Sequence, residues 1–465
     1  MFGSAIMETD TIAAIATAPG TGGIGIIRIS GPLANRILER LFKPFRTSSK
    51  QASPWVLRRG KVLDNQGIPI DDALAVFMPA PRTFTGEDIV EFQCHGGPVL
   101  LETVLGLCLD NGARMAERGE FSRRAFLNGR MDLTQAEAIA EIITAQSHES
   151  IRLAAAKLDG LLGKKISELR RQIEDIRAQL CLAIDFPEEE VECLPREGLV
   201  AALLQMKDSI SRLISGFDRY RCWREGVAVA LAGPVNVGKS SLMNALLGRK
   251  RAIVTDTPGT TRDFLEESVH LAGLPARLID TAGLRETQNS VEAQGIRLGR
   301  DMIDSADVVL LLVDGTQGID QNTLDLLEEI GPTRTVVVWN KADLASPPTD
   351  WYMPVRHAGD HAAVSAKTGE GLENLASAVR RLVLQFTKGK EPEPDEASPN
   401  LRQMQILGHA HTILEDLTTA VRAQTPYDIC AVMLEDLASV LAEITGIDAT
   451  DDVLNRIFSS FCIGK

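Results

Sequence analysis

The segment that most constrains the fold of this 465-residue chain is GPVNVGKSSL, which follows directly after the apolar run VAVAL. It fits the pattern G-x-x-x-x-G-K-[ST] through Gly233, Gly238, Lys239 and Ser240. Such a loop joins a β-strand to an α-helix, and its backbone N–H groups wrap around phosphates. Lys239 is then placed to reach the β- and γ-phosphate oxygens, and the Ser240 hydroxyl to bind Mg²⁺. This region must therefore fold as a strand, a phosphate-binding loop and a helix.

Two later motifs identify the base as guanine. In NKAD, the Asp343 carboxylate can accept from two guanine N–H groups, whereas adenine presents the wrong pattern. Asn340 and Lys341 are expected to brace the base and the phosphate loop. In SAKTG, residues 365–369, the backbone N–H of Ala366 is expected to contact the guanine carbonyl. Each motif follows an apolar strand, so the sequence predicts a GTP site.

Two switch segments lie between these motifs. LIDTAG places Asp280 at a strand end, where it can hold Mg²⁺ through water, and places Gly283 where its N–H can donate to the γ-phosphate. GTTRD places the Thr261 hydroxyl where it can complete the magnesium shell. Both segments are expected to become ordered with GTP and to loosen after hydrolysis.

The residue that orients the attacking water differs from the Ras pattern. Ras-type enzymes carry glutamine directly after the Asp-x-x-Gly turn. Here that position is Leu284, which cannot form a hydrogen bond through its side chain. The nearest acidic candidates downstream are Glu286 and Glu292.

The composition changes along the chain and predicts several domains. Residues 10–128 are rich in glycine and β-branched runs, which favours an α+β domain. Residues 134–184 repeat apolar side chains three and four apart, and a second helix is predicted at 199–214. Strands alternate with helices over 227–386, as in a parallel α/β domain. Residues 389–400, GKEPEPDEASPN, are typical of a linker before further helical sequence, so the α/β unit is predicted to be inserted into a helical domain.

Charge and hydropathy exclude several classes of protein. The 49 Lys+Arg against 63 Asp+Glu give a net charge of −14, which disfavours indiscriminate binding to nucleic acid. No apolar run approaches the roughly 20 residues of a membrane helix, and the N-terminus does not resemble a secretory signal, so we expect a cytoplasmic protein with no membrane association. The seven cysteines are scattered without a CxxC pair, which predicts neither a disulfide framework nor a zinc site.

Blocks outside the nucleotide motifs carry a more specific signal. They are TDTIAAIATAPGTGGIGIIRISG, FTGEDIVEFQCHGG and GEFSRRAFLNGRMDLTQAEAI in the N-terminal third, LRETQNSVEAQGI after the second switch, and the terminal FCIGK. With them, the chain from Thr9 to Lys465 resembles the MnmE, or TrmE, family of tRNA-modification GTPases. The resemblance implies an N-terminal α+β folate-binding and dimerisation domain over 1–130. It also implies a discontinuous all-α domain over 131–222 and 389–465, with an inserted α/β, Ras-like P-loop G domain over 223–388.

The resemblance also implies an activity. Members of the family act as potassium-activated GTPases together with an FAD protein of the MnmG type. They add an aminomethyl-type group, carboxymethylaminomethyl or aminomethyl, to carbon 5 of the wobble uridine of certain tRNAs. The one-carbon unit comes from 5-formyl- or 5,10-methylene-tetrahydrofolate. FAD is expected on the partner only, because this chain has no dinucleotide-binding fingerprint. A homodimer and a heterotetramer with the partner are expected.

The resemblance assigns residues to the GTP and metal sites. Glu292 matches the glutamate that orients the attacking water. Magnesium is assigned to Ser240 and Thr261, and potassium to Asn236, Thr255, Thr257 and Thr260. The full set expected to contact GTP is Asn236, Val237, Gly238, Lys239, Ser240, Ser241, Thr255, Thr260, Thr261, Asp280, Thr281, Ala282, Gly283, Asn340, Lys341, Asp343, Ser365, Ala366 and Lys367.

A second set of residues is assigned to folate and one-carbon chemistry. The residues that match the folate-binding positions of the family are Arg28, Glu91, Arg130 and Lys465, with Arg130 in place of the lysine of some relatives. A carboxylate suits the amino-pyrimidine edge of a reduced pterin, and cations suit the glutamate tail. Cys462 lies on a C-terminal tip expected to be flexible, and the resemblance implies that this tail reaches into the folate site. Cys462 is therefore assigned a catalytic role that is either nucleophilic or redox. His95 can serve acid–base chemistry, or can be a structural histidine in a tight turn.

Two other functions remain as alternatives. One is a GTP switch that acts in ribosome assembly, and the other is a folate aminomethyltransferase with a regulatory G domain. The N-terminal 130 residues and FCIGK favour the tRNA-modifying enzyme, because an assembly factor has no need of them.

Overall fold

The computed structural model describes residues 10–45, 54–185, 195–249, 266–280, 300–386, 396 and 398–465. Its contacts divide the chain into two compact units. The first comprises Met1–Ala140, Lys157–Leu204 and Thr412–Lys465, and the second comprises Glu141–Ala156 and Gln205–His411. None of the helices within the described ranges is both long and apolar enough to cross a membrane.

The first unit contains a seven-stranded sheet of order β3-β4-β5-β6-β2-β1-β7. Its strands are β1 Thr11–Ile15, β2 Gly22–Ser30, β3 Phe42–Pro44, β4 Arg58–Leu63, β5 Pro69–Met78, β6 Ile89–Gly96 and β7 Ala113–Met115. Two helices, α1 Ala34–Leu41 and α2 Pro98–Asp110, pack on one face of this sheet. In β2 the alternation of side chains buries Ile27 and Ile29 on that face and places Arg28 on the other.

Helices on both sides of the nucleotide-binding region form the all-α part. They are α3 Glu120–Leu127, α4 Leu133–Thr144, α5 His148–Leu158, α6 Leu161–Asp185 and α7 Arg196–Glu225, followed after that region by α11 Leu401–Arg422, α12 Tyr427–Thr445 and α13 Asp451–Phe458. Helix α6 packs along α12 and buries Ile166, Ile173 and Leu180 of its predicted apolar stripe. The Arg170 side chain of α6 also donates to the carbonyl of Ala438, 3.2 Å away.

Helix α7 is longer than the sequence predicted. The prediction ended at residue 214, whereas the helix continues to Glu225. Phe217, Tyr220 and Trp223 extend the apolar face at three-residue spacing, and all three are buried. Their burial keeps the helix intact past Gly216.

The second unit contains a six-stranded sheet of order β13-β12-β11-β8-β10-β9, in which only β9 is antiparallel to its neighbour. Its strands are β8 Val227–Ala232, β9 Glu266–Leu271, β10 Leu274–Asp280, β11 Val308–Asp314, β12 Thr335–Asn340 and β13 Asp360–Ala363. Its helices are α8 Lys239–Arg249, α9 Gln321–Ile330 and α10 Leu372–Phe386, with 3₁₀ turns at Pro332–Arg334 and Met353–Val355. All six residues of β8 are buried, as expected for a central parallel strand covered on both faces.

The end of the predicted linker is held against α7. The Glu396 carboxylate accepts hydrogen bonds from Arg219 and Tyr220. Arg224 donates to the Ser398 hydroxyl at 3.0 Å, and Ser398 is 1% exposed. The end of GKEPEPDEASPN is therefore packed against α7. This differs from the solvated linker that its Pro-rich, acidic composition predicted.

Candidate functional site

The nucleotide motifs meet at the carboxyl edge of the second sheet. Strands β8, β10, β11, β12 and β13 are parallel, so their carboxyl ends lie together. Asp280 ends β10 opposite Leu231 of β8, and Asp314 ends β11 opposite Asn340 of β12. This register brings the phosphate loop, Asp280 of LIDTAG and the NKAD motif to the same edge of the sheet.

The phosphate loop turns tightly between β8 and α8. Asn236 adopts the left-handed region with φ 63°, which asparagine tolerates better than most residues, and Gly238 has φ 99°. Lys239, at the start of α8, donates from Nζ to the carbonyls of Gly233 and Pro234, each 2.8 Å away. Its ammonium group is thus folded over the loop, the position from which it can serve phosphate oxygens.

Asn340 joins three of the motifs. Its Nδ2 donates to the carbonyl of Val237 in the phosphate loop at 2.8 Å, and its Oδ1 accepts from the backbone N–H of Ala366 in SAKTG at 3.2 Å. The side chain is 1% exposed. A Cβ at Gly238 would collide with this Nδ2, so glycine is required there by close approach as well as by its φ. The N–H of Ala366, predicted to contact guanine, is here the donor to Asn340.

The Asp343 carboxylate is exposed but held in place. Ser365, which is fully buried, donates from Oγ to Asp343 Oδ1 at 2.7 Å. The same Oγ accepts from the backbone N–H of Thr368 at 3.1 Å. A buried hydroxyl therefore orients the acid that was predicted to select guanine, while Lys367 beside it is exposed.

Asp314 is a supporting residue that sequence analysis missed. Its Oδ2 lies 2.6 Å from Lys341 Nζ, and its Oδ1 accepts from the Thr316 hydroxyl at 2.7 Å. Burial raises the pKa of Asp314, but the hydrogen bonds from Lys341 and Thr316 outweigh it and hold the pKa below its ordinary value. The carboxylate thus fixes Lys341, whose φ is 62°. The signal in the sequence was an acid at the end of the apolar run VVLLLVD.

The rest of the predicted GTP and metal residues are only partly described. Ser240 and Ser241 are exposed on the first turn of α8. The side chain of Asp280 lies outside the described residues, as do Thr255, Thr257, Thr260, Thr261, Thr281, Ala282, Gly283, Leu284, Glu286 and Glu292. Within the part of the chain that the structure describes, no group of three or more His, Cys, Asp or Glu side chains can hold a metal ion.

A second candidate site lies on the first sheet. Arg28 of β2 faces Glu91 of β6 across the ladder, and both its Nε and Nη2 lie 2.9 Å from Glu91 Oε1. The guanidinium carbon is 5.8 Å from the centroid of the Phe84 ring and 5.9 Å from that of Phe121. The two side chains are 19% and 16% exposed, so a fixed, aromatic-flanked ion pair remains open to a ligand.

The C-terminal tail docks beside this pair. Ile463 forms an antiparallel bridge with Arg118, and the carbonyl of Gly464 accepts from Arg28 Nη1 at 3.4 Å. Gly464 has φ 89°, and a Cβ there would meet the Ile15 carbonyl oxygen at 2.6 Å. The expectation of a flexible tip is therefore wrong, because a left-handed glycine without a side chain lets the tail backbone lie against β1.

The tail brings a lysine and a thiol to the Arg28–Glu91 pair. Burial lowers the pKa of the Lys465 amine and Arg28 lowers it further, which outweighs the opposing effects of Cys462 and Glu91. The Cys462 thiol is exposed. By contrast, burial raises the pKa of the Cys94 thiol to about 12, which makes that cysteine unreactive.

Two other predicted residues lie on the same unit. Arg130 donates from Nε to the carbonyl of Thr83 at 3.1 Å, one residue from Phe84. His95 lies near the end of β6 rather than in the tight turn considered above. Its Nδ1 is 2.6 Å from Asp71 Oδ1, and its backbone N–H donates to Asp71 Oδ2 at 3.0 Å.

Comparison with known proteins places the chain in a family. A family model described as "GTP-binding protein TrmE N-terminus" matches residues 11–130, and one described as "MnmE helical domain" matches residues 133–462. A protein of Nitratidesulfovibrio vulgaris (strain DP4) named "tRNA modification GTPase MnmE" is 53% identical over 461 residues, which covers 99% of this chain and 100% of that protein. The chain belongs to the MnmE family of tRNA modification GTPases. A protein of the same name from Carboxydothermus hydrogenoformans is 41% identical over 463 residues, or 99% of this chain and 100% of that protein.

Solved structures of other proteins also match part of the chain. The G domain of the T. maritima FeoB iron transporter is 32% identical, covering 34% of this chain and 98% of that chain, with a TM-score of 0.26. Aquifex aeolicus Era bound to GDP.AlF4⁻ is 25% identical over 41% of this chain and 66% of that chain, also with a TM-score of 0.26. Scores this low establish no shared fold over the whole chain. MnmE-family membership confirms the predicted fold class, with an α+β N-terminal domain, an all-α domain and a P-loop α/β domain.

Proposed function

We propose that this MnmE-family protein is a potassium-activated GTPase that modifies the wobble uridine of certain tRNAs. Together with an FAD protein of the MnmG type, it would add an aminomethyl-type group to carbon 5 of that base, with the one-carbon unit taken from tetrahydrofolate. The observation that carries the proposal is the docking of FCIGK beside the Arg28–Glu91 pair. The Cys462 thiol, the Lys465 amine and the Glu91 carboxylate lie together on the N-terminal domain. Such a set suits group transfer, which a GTP switch alone does not require.

The residues of this site fit a reduced folate. Glu91 offers an acceptor for the amino-pyrimidine edge of the pterin, and the half-buried ring of Phe84 offers a flat apolar wall. Phe121, also near Arg28, is fully buried and supports the guanidinium from within the core. Arg28 and Lys465 supply cations, with Arg130 near by on the same unit. When bound, the folate supplies a one-carbon unit. The role proposed for the exposed Cys462 thiol is to act on that unit, as a nucleophile or as a redox group.

The nucleotide site supports GTP binding by the same chain. Ser240 would bind Mg²⁺ with Thr261, and Asp343 would select guanine. Asn236 would hold K⁺ together with Thr255, Thr257 and Thr260. A cation beside the β–γ bridge offsets the charge that develops as the bond to the γ-phosphate breaks. Glu292 would orient the attacking water.

The proposed organisation follows the sequence boundaries. Residues 1–130 would bind folate and form the homodimer, residues 131–222 and 389–465 would form the helical domain, and residues 223–388 would form the G domain. A heterotetramer with the FAD partner, acting in the cytoplasm on tRNA, is part of the same proposal. The family name of the curated relatives supports the tRNA substrate.

Reconstitution tests the modification reaction. The purified chain, an MnmG-type FAD protein, unmodified tRNA, GTP, K⁺ and 5,10-methylene-tetrahydrofolate are combined with glycine or ammonium, and the wobble nucleoside is measured by mass spectrometry. The expected result is an aminomethyl-type uridine, which Cys462→Ser abolishes while GTP hydrolysis continues. Exposed Cys181 provides the matched control, since Cys181→Ser should leave both activities intact. Normal modification by the Cys462→Ser variant would remove the proposed role of that thiol.

Cation dependence tests the potassium assignment separately. GTP hydrolysis is measured in K⁺ and in Na⁺ of equal ionic strength for the parent protein and for Asn236→Lys. The parent should be faster in K⁺, and the variant should lose that difference while it retains GDP binding. An exposed asparagine of α9 gives the control variant Asn322→Lys, which should retain the K⁺ dependence. A variant at Asn236 that kept the full K⁺ effect would contradict the assignment.

A further inference from the structure

On one face of the first sheet, half-buried and exposed side chains extend from the Arg28–Glu91 pair to the far edge at β3 and β4. At β1 the same face is covered by Phe121 of α3. Helices α1 and α2 pack on the opposite face, where Phe42, Val62 and Phe92 are buried. Across the face that carries the pair, half-buried Leu74 of β5 lies opposite Gln93 of β6, and Gln93 lies opposite Ile26 of β2. These side chains form a partly apolar floor between the ion pair and the outer strands.

The far edge of that floor is basic. Lys43 of β3 lies opposite Lys61 of β4, and Arg59 of β4 lies on the same face two residues away. Lys43 and Arg59 are exposed and Lys61 is half-buried. Within the described residues, neither lysine forms an ion pair; Asp72 of β5, directly opposite Lys61, instead lies 3.7 Å from Arg59. The three basic side chains therefore outnumber Asp72, the acid described beside them. We name Lys43, Arg59 and Lys61 the basic edge.

Protection of the sheet edge does not account for this arrangement. A lysine on the outermost strand is a common way to discourage pairing with other chains, and Lys43 alone serves that purpose. Like charges directly opposite each other across two strands destabilise a sheet. Lys61, on the inner strand, lies opposite Lys43 on one side and Asp72 on the other, and it adds no protection to the edge. Two lysines on the same face of adjacent strands can instead bind an anionic ligand.

The spacing matches a folate that lies across the floor. Glu91 pairs with Val76, and Lys61 pairs with Asp72, four residues further along β5. Four residues of strand span about 13 Å and two strand spacings about 10 Å, so the Cα atoms of Glu91 and Lys61 lie about 16 Å apart. This is comparable to the extended length of a reduced folate from its pyrimidine ring to its glutamate. Arg28 and Lys465, by contrast, gather beside Glu91 at the ring end.

We propose that the basic edge binds the carboxylates of a poly-γ-glutamyl tail on the reduced folate whose pterin ring lies at Arg28–Glu91. The inference rests on the folate site put forward under Proposed function and names its ligand more closely as a folate polyglutamate. Each γ-glutamyl residue adds one carboxylate. The tail therefore supplies negative charges that can pair with the cations of the basic edge. The p-aminobenzoyl ring lies over Leu74 and Gln93 on the way.

Calorimetric titration of the full chain tests the inference. The ligands are the mono- and the triglutamate of 5-formyl-tetrahydrofolate, and the proteins are the parent and Lys43→Gln/Lys61→Gln. The triglutamate should bind the parent about fivefold more tightly than the monoglutamate, since exposed ion pairs contribute modestly and additively. That advantage should disappear in the double variant and shrink with added salt. The monoglutamate, whose single glutamate reaches only the near side of the basic edge, should lose no more than about twofold in affinity. Removal of like charges should not lower the Tm of the variant.

A matched control removes the same charge from the other face. Arg36→Gln/Arg40→Gln alters two exposed arginines of α1, which packs on the covered face, and should retain the full preference for triglutamate. If monoglutamate binds but tail length has no effect, the polyglutamate inference is wrong and the folate site stands. If neither ligand binds the parent protein, the folate site itself is wrong. If the double variant instead loses affinity for tRNA with no change in folate preference, the basic edge is a nucleic-acid surface and the inference is overturned.

Discussion

Asn340 is the residue whose removal tests the architecture of the nucleotide site most sharply. Its side chain is 1% exposed and bridges the carbonyl of Val237 and the N–H of Ala366. Asn340→Ala leaves the buried carbonyl of Val237 and the half-buried N–H of Ala366 without this partner. A buried group in that state costs about 1–3 kcal/mol and a half-buried one less, so the free energy of unfolding of the second unit should fall by about 2–4 kcal/mol.

The same loss should appear in nucleotide affinity. The phosphate loop and SAKTG must keep their mutual position for a nucleotide to contact both, and Asn340 is the direct bridge between them. A loss of about 2 kcal/mol raises the Kd for GDP about 30-fold. Asn340→Asp should be at least as harmful as Asn340→Ala, because its carboxylate would face the carbonyl oxygen of Val237 instead of donating to it.

Fluorescent GDP binding and thermal unfolding measure the two effects. Asn322→Ala is the control, since this exposed asparagine of α9 bonds only to Asp320 among the interactions described, and its loss should change neither quantity appreciably. A Kd for GDP within about threefold of the parent in Asn340→Ala would refute the bridging role.

Three further perturbations have distinct outcomes. Asp314→Asn should release Lys341 and weaken GTP and GDP binding alike by about tenfold, with the preference for GTP over ITP unchanged in competition assays; a changed preference would contradict a purely positioning role. Burial raises the pKa of Glu120, but hydrogen bonds from Arg114 and Arg124 outweigh this and hold the pKa below its ordinary value of 4.5. The ionised carboxylate therefore stabilises the fold above pH 4.5, and this stabilisation is lost as the pH falls through the lower pKa of the folded state. Glu120→Gln should therefore destabilise the protein by about 3 kcal/mol at neutral pH and less in acid, as measured by urea unfolding across pH; an equal loss at every pH would refute the linkage. Gly464→Ala should undock the tail and weaken 5-formyl-tetrahydrofolate binding about tenfold without altering GTP hydrolysis, whereas Gly67→Ala, also at positive φ but with no neighbour within 4 Å of the added Cβ, should leave folate affinity intact.

Local patterns in the sequence predicted much of the nucleotide unit. The phosphate loop, NKAD and SAKTG each follow an apolar strand, and parallel strands necessarily place their carboxyl ends at one edge. The buried stripe of α6 followed in the same way from helical spacing. These features depend on residues close together in the chain, which is why pattern alone predicted them.

Features that depend on distant partners were missed. Asp314 lies 27 positions before Lys341, and nothing in its local sequence indicated that partner. The contact of Gly464 with Arg28 spans 436 positions. Local sequence indicated only a flexible tip, and the expectation that the tail reaches the residues around Arg28 came from the family resemblance alone. The full length of α7 was missed for a related reason, because Trp223 and Tyr220 gain their burial in a core built from strands further along the chain.

The most direct test of the central claim is the wobble nucleoside itself. tRNA from cells of the source organism that lack this protein is digested and analysed by mass spectrometry, alongside tRNA from the same cells restored with the intact chain. The proposed function predicts that the aminomethyl-type uridine is lost in the first sample and recovered in the second. An unchanged amount of that uridine in cells without the protein would contradict it.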